Sequence, residues 1–360
     1  MTVERPAPAL RPFDPERDFP GIVDLIGDVN RHDDLDWLPT VTSLTHEWTP
    51  SPAFDPRRDA ILIEIDGRQM AAGWVDWVER DDKIIHNFEI WVHPDRRRTG
   101  LGRRILAWLE DRARASVADG TGGPAALSHV LGGGLIVSNA AAVAFGERMG
   151  YATIRYGFQM RRPLDLRIPD VAMPDGLEVR PVTPDDHRAI WAADIEAFQD
   201  HWEARVRTEH DYVRTFEDPD HDTALWQVAW DGDEVAGVIM NNIYAEQNAN
   251  LGIDIGWLDH VSVRRQWRGR GVASALIVRS LQILRDKRMT VAALGVDAEN
   301  PTGALGLYGR FGFRPYATWA VLRKGFRDPP GSGRGQVGSR PSRATHSSHG
   351  CSRPIVVDGP

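Results

Sequence analysis

Val261-Ser262-Val263-Arg264-Arg265-Gln266-Trp267-Arg268-Gly269-Arg270-Gly271-Val272-Ala273 reads as a strand, a short basic turn with two glycines, and the start of a helix. Val272, Leu276, Ile277, Leu281 and Leu284 recur at helical spacing and mark the face that such a helix buries. Glycines two residues apart at a helix start let the backbone come close to an anion. The unpaired N–H groups of the first turn then point at it, helped by the positive end of the helix dipole. The stretch predicts a strand–turn–helix unit that cradles a phosphate.

A second copy lies upstream. Arg97-Arg98-Thr99-Gly100-Leu101-Gly102 follows an apolar run, Ile84 to Val92, and opens a segment with Leu101, Ile105, Leu106 and Leu109 at helical spacing. The neighbours repeat as well. Leu10-Arg11-Pro12 matches Leu177-Glu178-Val179-Arg180-Pro181 as a first strand. The runs around Asp66-Gly67 give a hairpin signal that returns around Asp231-Gly232. A helical segment ending at Gly150-Tyr151 returns as Asn300 to Phe313. The period is about 165 residues, too long for a solenoid repeat and long enough for a domain. Leu164 to Gly176, with Pro169 and Pro174 and no clear period, reads as a linker. The expected organisation is a domain over 1–163, a linker over 164–176, a second domain over 177–327, and a disordered Gly/Ser/Arg/Pro tail over 328–360. Residues 31–58 and the glycine-rich 119–134 read as irregular.

Bulk properties narrow the function. The 360 residues carry a net charge of −8, so non-specific nucleic-acid binding is not expected as the main activity. The single cysteine, Cys351, excludes an intrachain disulfide and favours a cytoplasmic setting. No apolar run has the length of a membrane span, so no membrane partner is expected. No His/Cys/Asp grouping has ligand spacing, so no metal is expected.

With these residues in view, the chain resembles the GCN5-related N-acetyltransferases (GNAT). Their acetyl-CoA loop, Gln/Arg-x-x-Gly-x-Gly/Ala, is matched by Gln266-Trp267-Arg268-Gly269-Arg270-Gly271 and by Arg97-Arg98-Thr99-Gly100-Leu101-Gly102. A later signature of the family is matched by Asn300 through Leu307-Tyr308 and then Gly312-Phe313. The tandem arrangement is similar to that of mycothiol-synthase-like enzymes. The resemblance implies an α/β (α+β) fold: two GNAT domains, each a mixed, mostly antiparallel twisted sheet flanked by helices. It also implies acetyl-CoA as donor and a small-molecule amine as acceptor. Two fused copies are compatible with a monomer.

Roles follow from the chemistry of moving an acetyl group from a thioester to an amine. The pyrophosphate is expected on the backbone of Arg268, Gly269, Arg270, Gly271, Val272 and Ala273, with Gln266 in the loop and the two arginines adding charge. By resemblance the backbone of Val261 and Val263 pairs with the pantetheine arm, and Asn300 bonds that arm or caps the following helix. Tyr308 is the candidate acid for the leaving thiolate, since a phenol stays protonated near neutrality. Asp259 is the candidate base or water-holder, with His260 and Asp254 as rivals. Strict strand alternation puts Trp257, Asp259, Val261 and Val263 on one face and Leu258, His260 and Ser262 on the other. Asp200-His201-Trp202 falls where an acceptor pocket would form. In the first copy Arg97, Gly100 and Gly102 keep the cradle. Gly146 stands at the position of Tyr308 and Phe88 at that of Asp259, so this copy is expected to be catalytically degenerate. A non-catalytic acyl-CoA sensor and a peptide or protein N-acetyltransferase are the alternatives.

Overall fold

The computed structural model describes residues 8–35, 37–299 and 303–326. They form two compact units, 8–155 with 319–326, and Tyr156–Thr318.

In the first unit, β1 (Leu10–Pro12), α1 (Phe19–His32), α2 (Val41–Glu47), α3 (Pro56–Asp59), β2 (Ala60–Ile65), β3 (Arg68–Arg80), β4 (Lys83–Val92), α4 (Leu101–Asp119), β5 (Ser128–Ile136) and α5 (Ala140–Arg148) follow in order. The sheet runs β1-β2-β3-β4-β5 and is completed beyond β5 by residues 319–325. Only β4 and β5 are parallel neighbours. The alternating strands β2 to β4 have apolar residues on both faces, so each face takes a helix layer. The α4 face buries Ile61, Val75, Phe88 and Ile105. The α1 face buries Ile22, Leu62, Trp74 and Trp91.

Two segments expected to be irregular are ordered. In 31–58, Thr40 caps α2 through a reciprocal bond with Ser43, and Trp48 packs edge-on against Phe13, Phe54 and Trp74. The glycine run of 119–134 ends in β5, a central strand. Its glycines weaken any strand signal in sequence, yet a Cβ on Gly132 would lie 2.7 Å from Arg323 and 3.1 Å from Ile85. A side chain there would require the Arg323 guanidinium to move and Ile85 to give way slightly.

The strand β6 (Ala152–Pro163) carries the chain into the second unit. There β7 (Glu178–Val179), α6 (His187–Phe198), α7 (Glu209–Phe216), β8 (Gln227–Asp231), β9 (Glu234–Asn242), α8 (Ala245–Leu251), β10 (Ile255–Val263), α9 (Val272–Asp286), β11 (Val291–Asp297) and α10 (Ala304–Arg310) follow, before β12 (Arg314–Gly325) leads back to the first. The order is β7-β8-β9-β10-β11-β6, again with one parallel pair, β10 and β11. Here α9 covers a face with Leu258, Ile277, Leu281 and Leu294, and α6 covers the other with Ile190, Val228, Val238 and Met240.

The 164–176 stretch belongs to the second unit. Leu164 is buried, and Ile168, Val171 and Met173 pack on the α9-side core. The Arg162 guanidinium, itself buried, donates to the carbonyls of Phe311, Leu166 and Arg167. Each sheet is therefore closed by a strand from far along the chain: 157–163 pairs with β11, and 319–325 pairs with β5.

Candidate active site

The parallel pair of the second unit comes apart. Ladder pairing joins Ile255, Gly256 and Trp257 to Val291, Ala292 and Ala293 and then stops. Both strands continue, β10 to Val263 and β11 to Asp297. Their facing backbone N–H and C=O groups are left to pair with something else. An extended ligand with amide groups, such as a pantetheine arm, fits this opening, and Val261 and Val263 line it.

A bulge marks the same strand. Against β9, Leu258 pairs with Asn241 and His260 with Met240, so Asp259 is the extra residue. The expected alternation breaks here. Leu258 packs in the α9-side core together with Val261 and Val263. Asp259 and His260 turn to the α6 side. Asp259 Oδ2 accepts from Asn242 Nδ2 (2.6 Å) and from the Tyr244 hydroxyl (2.7 Å). His260 Nδ1 lies 3.1 Å from Oδ2 of Asp194 in α6. The two candidate bases thus share a face, against the sequence expectation, because one extra residue shifts the period. The third rival, Asp254, precedes β10 and accepts from Thr290 through its backbone carbonyl.

Beyond Val263 a single turn, Arg265–Trp267, leads to the cradle. Gly269 (φ 74°) and Gly271 (φ 93°) are left-handed, and a Cβ at either would meet nothing within 4 Å. They are glycines for backbone conformation, not for packing. Gly271 caps α9 with no side-chain bond, so the first-turn N–H groups face outward unclaimed by a cap. This suits a pyrophosphate. The Arg268 side chain is engaged in holding the loop: it donates to Val263 O (2.8 Å), Ala197 O (3.0 Å) and Asp200 (2.6 Å). Asp200 also binds Arg265, and hydrogen bonds from Arg265 and Arg268 lower its carboxyl to about 2 despite partial burial. Asp200 is accordingly an anchor of the cradle loop and not a free group for an acceptor. Gln266 is exposed and donates to Glu234 (3.2 Å). Exposed Arg270 is the arginine with its charge available to a phosphate.

Tyr308 in α10 is buried in the α9-side core, its ring 6.1 Å from that of Phe313. Burial pushes its phenol well above the ordinary value, so it remains a proton donor. Asn300 lies outside the described residues.

The first unit keeps part of this design. β4 and β5 pair from Lys83–Ser128 to Asn87–Gly132 and then separate. The register of β3 and β4 runs through without a bulge. Gly100 (φ 85°) caps α4 as Gly271 caps α9, which aligns Arg97 with Arg268, Arg98 with Gly269 and Gly102 with Ala273. The frame drawn from Gln266 is therefore two residues early, and the matching frame begins at Arg268. Arg97 is likewise anchored, to Asp33 by two bonds of 2.7 Å. Exposed Arg98 stands left-handed at φ 64°, where its counterpart is a glycine. Left-handed backbone costs an L-residue about 1–2 kcal/mol. Part of that gain is offset by the greater freedom of an unfolded glycine, so Arg98→Gly is expected to stabilise the protein by about 0.5–1 kcal/mol. Urea denaturation of the full chain measures it; a loss of stability would contradict the strain.

Asp194, Asn242, Tyr244 and Arg207 have no motif. The one available signal was Asp194 itself, a carboxylate within the apolar stripe of Ile190, Trp191, Ala193 and Ala197. Among the described residues no group of three or more His, Cys, Asp or Glu could hold a metal ion, and no helix is long and apolar enough to cross a membrane.

The chain is similar to known proteins in sequence and fold. The model of the acetyltransferase (GNAT) family matches residues 27–151 and 187–313. A mycothiol acetyltransferase of Thermomonospora curvata is 32% identical over 276 residues, 76% of this chain and 84% of that one. One of Pseudarthrobacter chlorophenolicus is 30% identical over 248 residues, 68% and 72% of the two chains. Among solved structures, a GCN5-related N-acetyltransferase from Sphaerobacter thermophilus aligns with a TM-score of 0.69 and 26% identity, over 89% of this chain and 96% of that one. A tandem GNAT protein from the clavulanic acid biosynthesis pathway aligns with a TM-score of 0.66 and 17% identity, over 90% and 100%, and shares the fold.

Proposed function

The chain belongs to the GNAT family of acetyltransferases, and we propose that its second unit carries the acetyl transfer from acetyl-CoA to a primary amine of a small molecule. The observation behind this reading is the separation of β10 from β11 after Trp257, flanked by different groups on its two sides. Asp259 and His260 stand on the α6 side. Tyr308 stands on the α9 side. A thioester carbonyl held in the gap would meet the amine from one side and release its thiolate toward the other.

Each residue then has one task. The α9 N-terminus and Arg270 hold the pyrophosphate. The open edge of β10 at Val261 and Val263 pairs with the pantetheine amides. Asp259, fixed by Asn242 and Tyr244, holds the acceptor's cationic amine or the water beside it. Tyr308 gives a proton to the departing thiolate. The first unit has no bulge on β4, with Phe88 and Gly146 at the matching positions, and serves the fold or binds the donor without turnover.

The test is thiol release from acetyl-CoA by the full chain, with product masses, over a panel of amines. The panel holds mycothiol lacking its acetyl group, glucosamine, lysine methyl ester and a peptide with a free N-terminus. The relatives named as mycothiol acetyltransferases support the first as the acceptor. Turnover of one or more small amines is expected. Binding of acetyl-CoA with no acetylated product from any amine would make the protein a sensor, and turnover of the peptide alone would move the acceptor class.

A further inference from the structure

We propose that His260 accepts the proton of the incoming nucleophile at Nε2, with Asp194 as the positioning residue that fixes the imidazole for this task. The proposal rests on the reading of the second unit as the transferring one and assigns its proton path.

Asp194 is fully buried in the apolar face of α6, where helix packing calls for an aliphatic side chain. A buried carboxylate costs several kcal/mol unless it is paired. Its Oδ2 has two cationic or donor neighbours, His260 Nδ1 at 3.1 Å and Arg207 Nη1 at 3.2 Å. Burial opposes the charge, yet His260, Arg207 and a hydrogen bond from the Ser262 hydroxyl outweigh it and hold Asp194 below the usual carboxylate range. Arg207 matters here because it balances the anion even when the imidazole is neutral. A permanent acceptor at Nδ1 fixes the neutral tautomer with its proton on Nδ1. The lone pair is then on Nε2.

The bulge supplies the other half. It gives β10 one extra residue, so His260 follows Asp259 directly on the α6 face. The His260 side chain is 24% exposed, while Asp194 at its Nδ1 end is sealed. Phe198 walls the imidazole with ring centres 5.3 Å apart, and His201 packs on that same ring at 4.2 Å. The charged and titratable groups around His260 are thus Asp194 and Arg207 from the α6 side, His201 beyond Phe198, and Asp259 next along the strand. Asp259 Oδ2 already accepts two hydrogen bonds. It is suited to hold a cation, and the neighbouring imidazole to take its proton.

The step balances. An ammonium gives one proton to Nε2. The neutral amine forms the C–N bond at the thioester carbonyl. As the C–S bond breaks, the thiolate takes a proton from Tyr308, which is refilled by the second proton lost from the amide nitrogen. The imidazolium returns its proton to water. With water as nucleophile, the same base gives acetate and free thiol.

Slow hydrolysis of acetyl-CoA by the full chain therefore reports on His260 whatever the amine acceptor is. His260→Asn keeps a donor where Nδ1 stood, and so keeps the bond to Asp194, but has no Nε2. It is expected to fold, to bind acetyl-CoA as the wild type does in calorimetry, and to lose about 10²-fold or more in kcat for water and for any accepted amine. Asp194→Asn should lower kcat for the same reactions while leaving the KM and the binding of acetyl-CoA unchanged, because the imidazole remains but its orientation and tautomer are no longer fixed. Retention of kcat in a folded His260→Asn protein would overturn the proposal. So would an Asp194→Asn protein whose only change is lower stability, with its kcat unmoved. Failure of every amine in the panel would sink the amine acceptor while leaving the water reaction to decide on His260.

Discussion

A fragment spanning residues 177–326 will show no cooperative unfolding transition, whereas one spanning 156–318 will. The first follows the repeat seen in the sequence; the second follows the compact unit. Cutting before residue 177 removes the strand that pairs with β11 over seven positions, Gly157 to Pro163 against Asp297 to Val291. It strips buried Met160 and Leu164 from the α9-side core. It also removes Arg162, whose guanidinium binds the carbonyl of Phe311 at the end of α10. Losing a buried Leu or Met side chain costs about 2–5 kcal/mol, and two are lost together with a whole ladder. Domains are stable by only about 5–15 kcal/mol. The fragment would further carry 319–325, which pair with β5 and have no partner in it. Urea titrations followed by far-UV circular dichroism decide the matter. A sharp transition for 177–326, with a slope fitting its size, would mean that the exchanged strand contributes little.

The repeat was legible because it rests on local chemistry. Asp66-Gly67 turns with both residues at positive φ between paired strands, and in the second copy the turn falls one residue later, at Gly232-Asp233 with Gly232 at positive φ, while Asp231 still pairs with Glu234. The apolar stripes of α4 and α9 lie where the spacing put them. The exchange of strands left no local trace. Nothing in 157–163 or 319–325 says which distant strand each will pair with, since both read as ordinary half-buried strands. β5 was hidden for the opposite reason: its glycines carry no apolar pattern, and the neighbours that crowd Gly132, Ile85 and Arg323, lie far away in sequence.

The site divides in the same way. Gly271, Ala273 and Tyr308 belong to signatures of fixed spacing and could be found in the sequence, although the two glycines so close together let the frame be set two residues early. The bulge at Asp259 could not, because an extra residue is defined only against the partner strand β9. It moved Asp259 to the face of His260 and moved Leu258 away from it. The role of Asp200 was hidden too. Its link to Arg265 and Arg268 spans more than sixty residues, and its likeness to the Asp33–Arg97 pair shows only when both units are seen. In both units an aspartate just past the first long helix ties down the arginine that opens the cradle, so the loop is shaped before any ligand arrives.

Tyr308→Phe is expected to lower kcat by about 10²-fold while leaving the affinity for acetyl-CoA unchanged. The substitution keeps the ring that packs beside Phe313 in the core and removes only the hydroxyl. A residue that merely fills the core would lose nothing in rate. The companion variant, Gly100→Glu, places a side chain and a negative charge at the left-handed cap of α4 in the first unit, where it would repel a phosphate. Turnover should survive it. A folded Gly100→Glu protein without turnover, beside a fully active Tyr308→Phe, would transfer the chemistry to the first unit. Alkaline stability provides a second readout that does not need the acceptor. Burial disfavours the Tyr308 phenolate, so the folded value lies above the unfolded one near 10. The unfolded chain therefore loses the proton first. The wild type should lose stability as pH rises past about 10, and Tyr308→Phe should lose less over that range. Urea midpoints at pH 8 and pH 10.5 for the two proteins measure the difference; equal losses would show that the phenol is solvated.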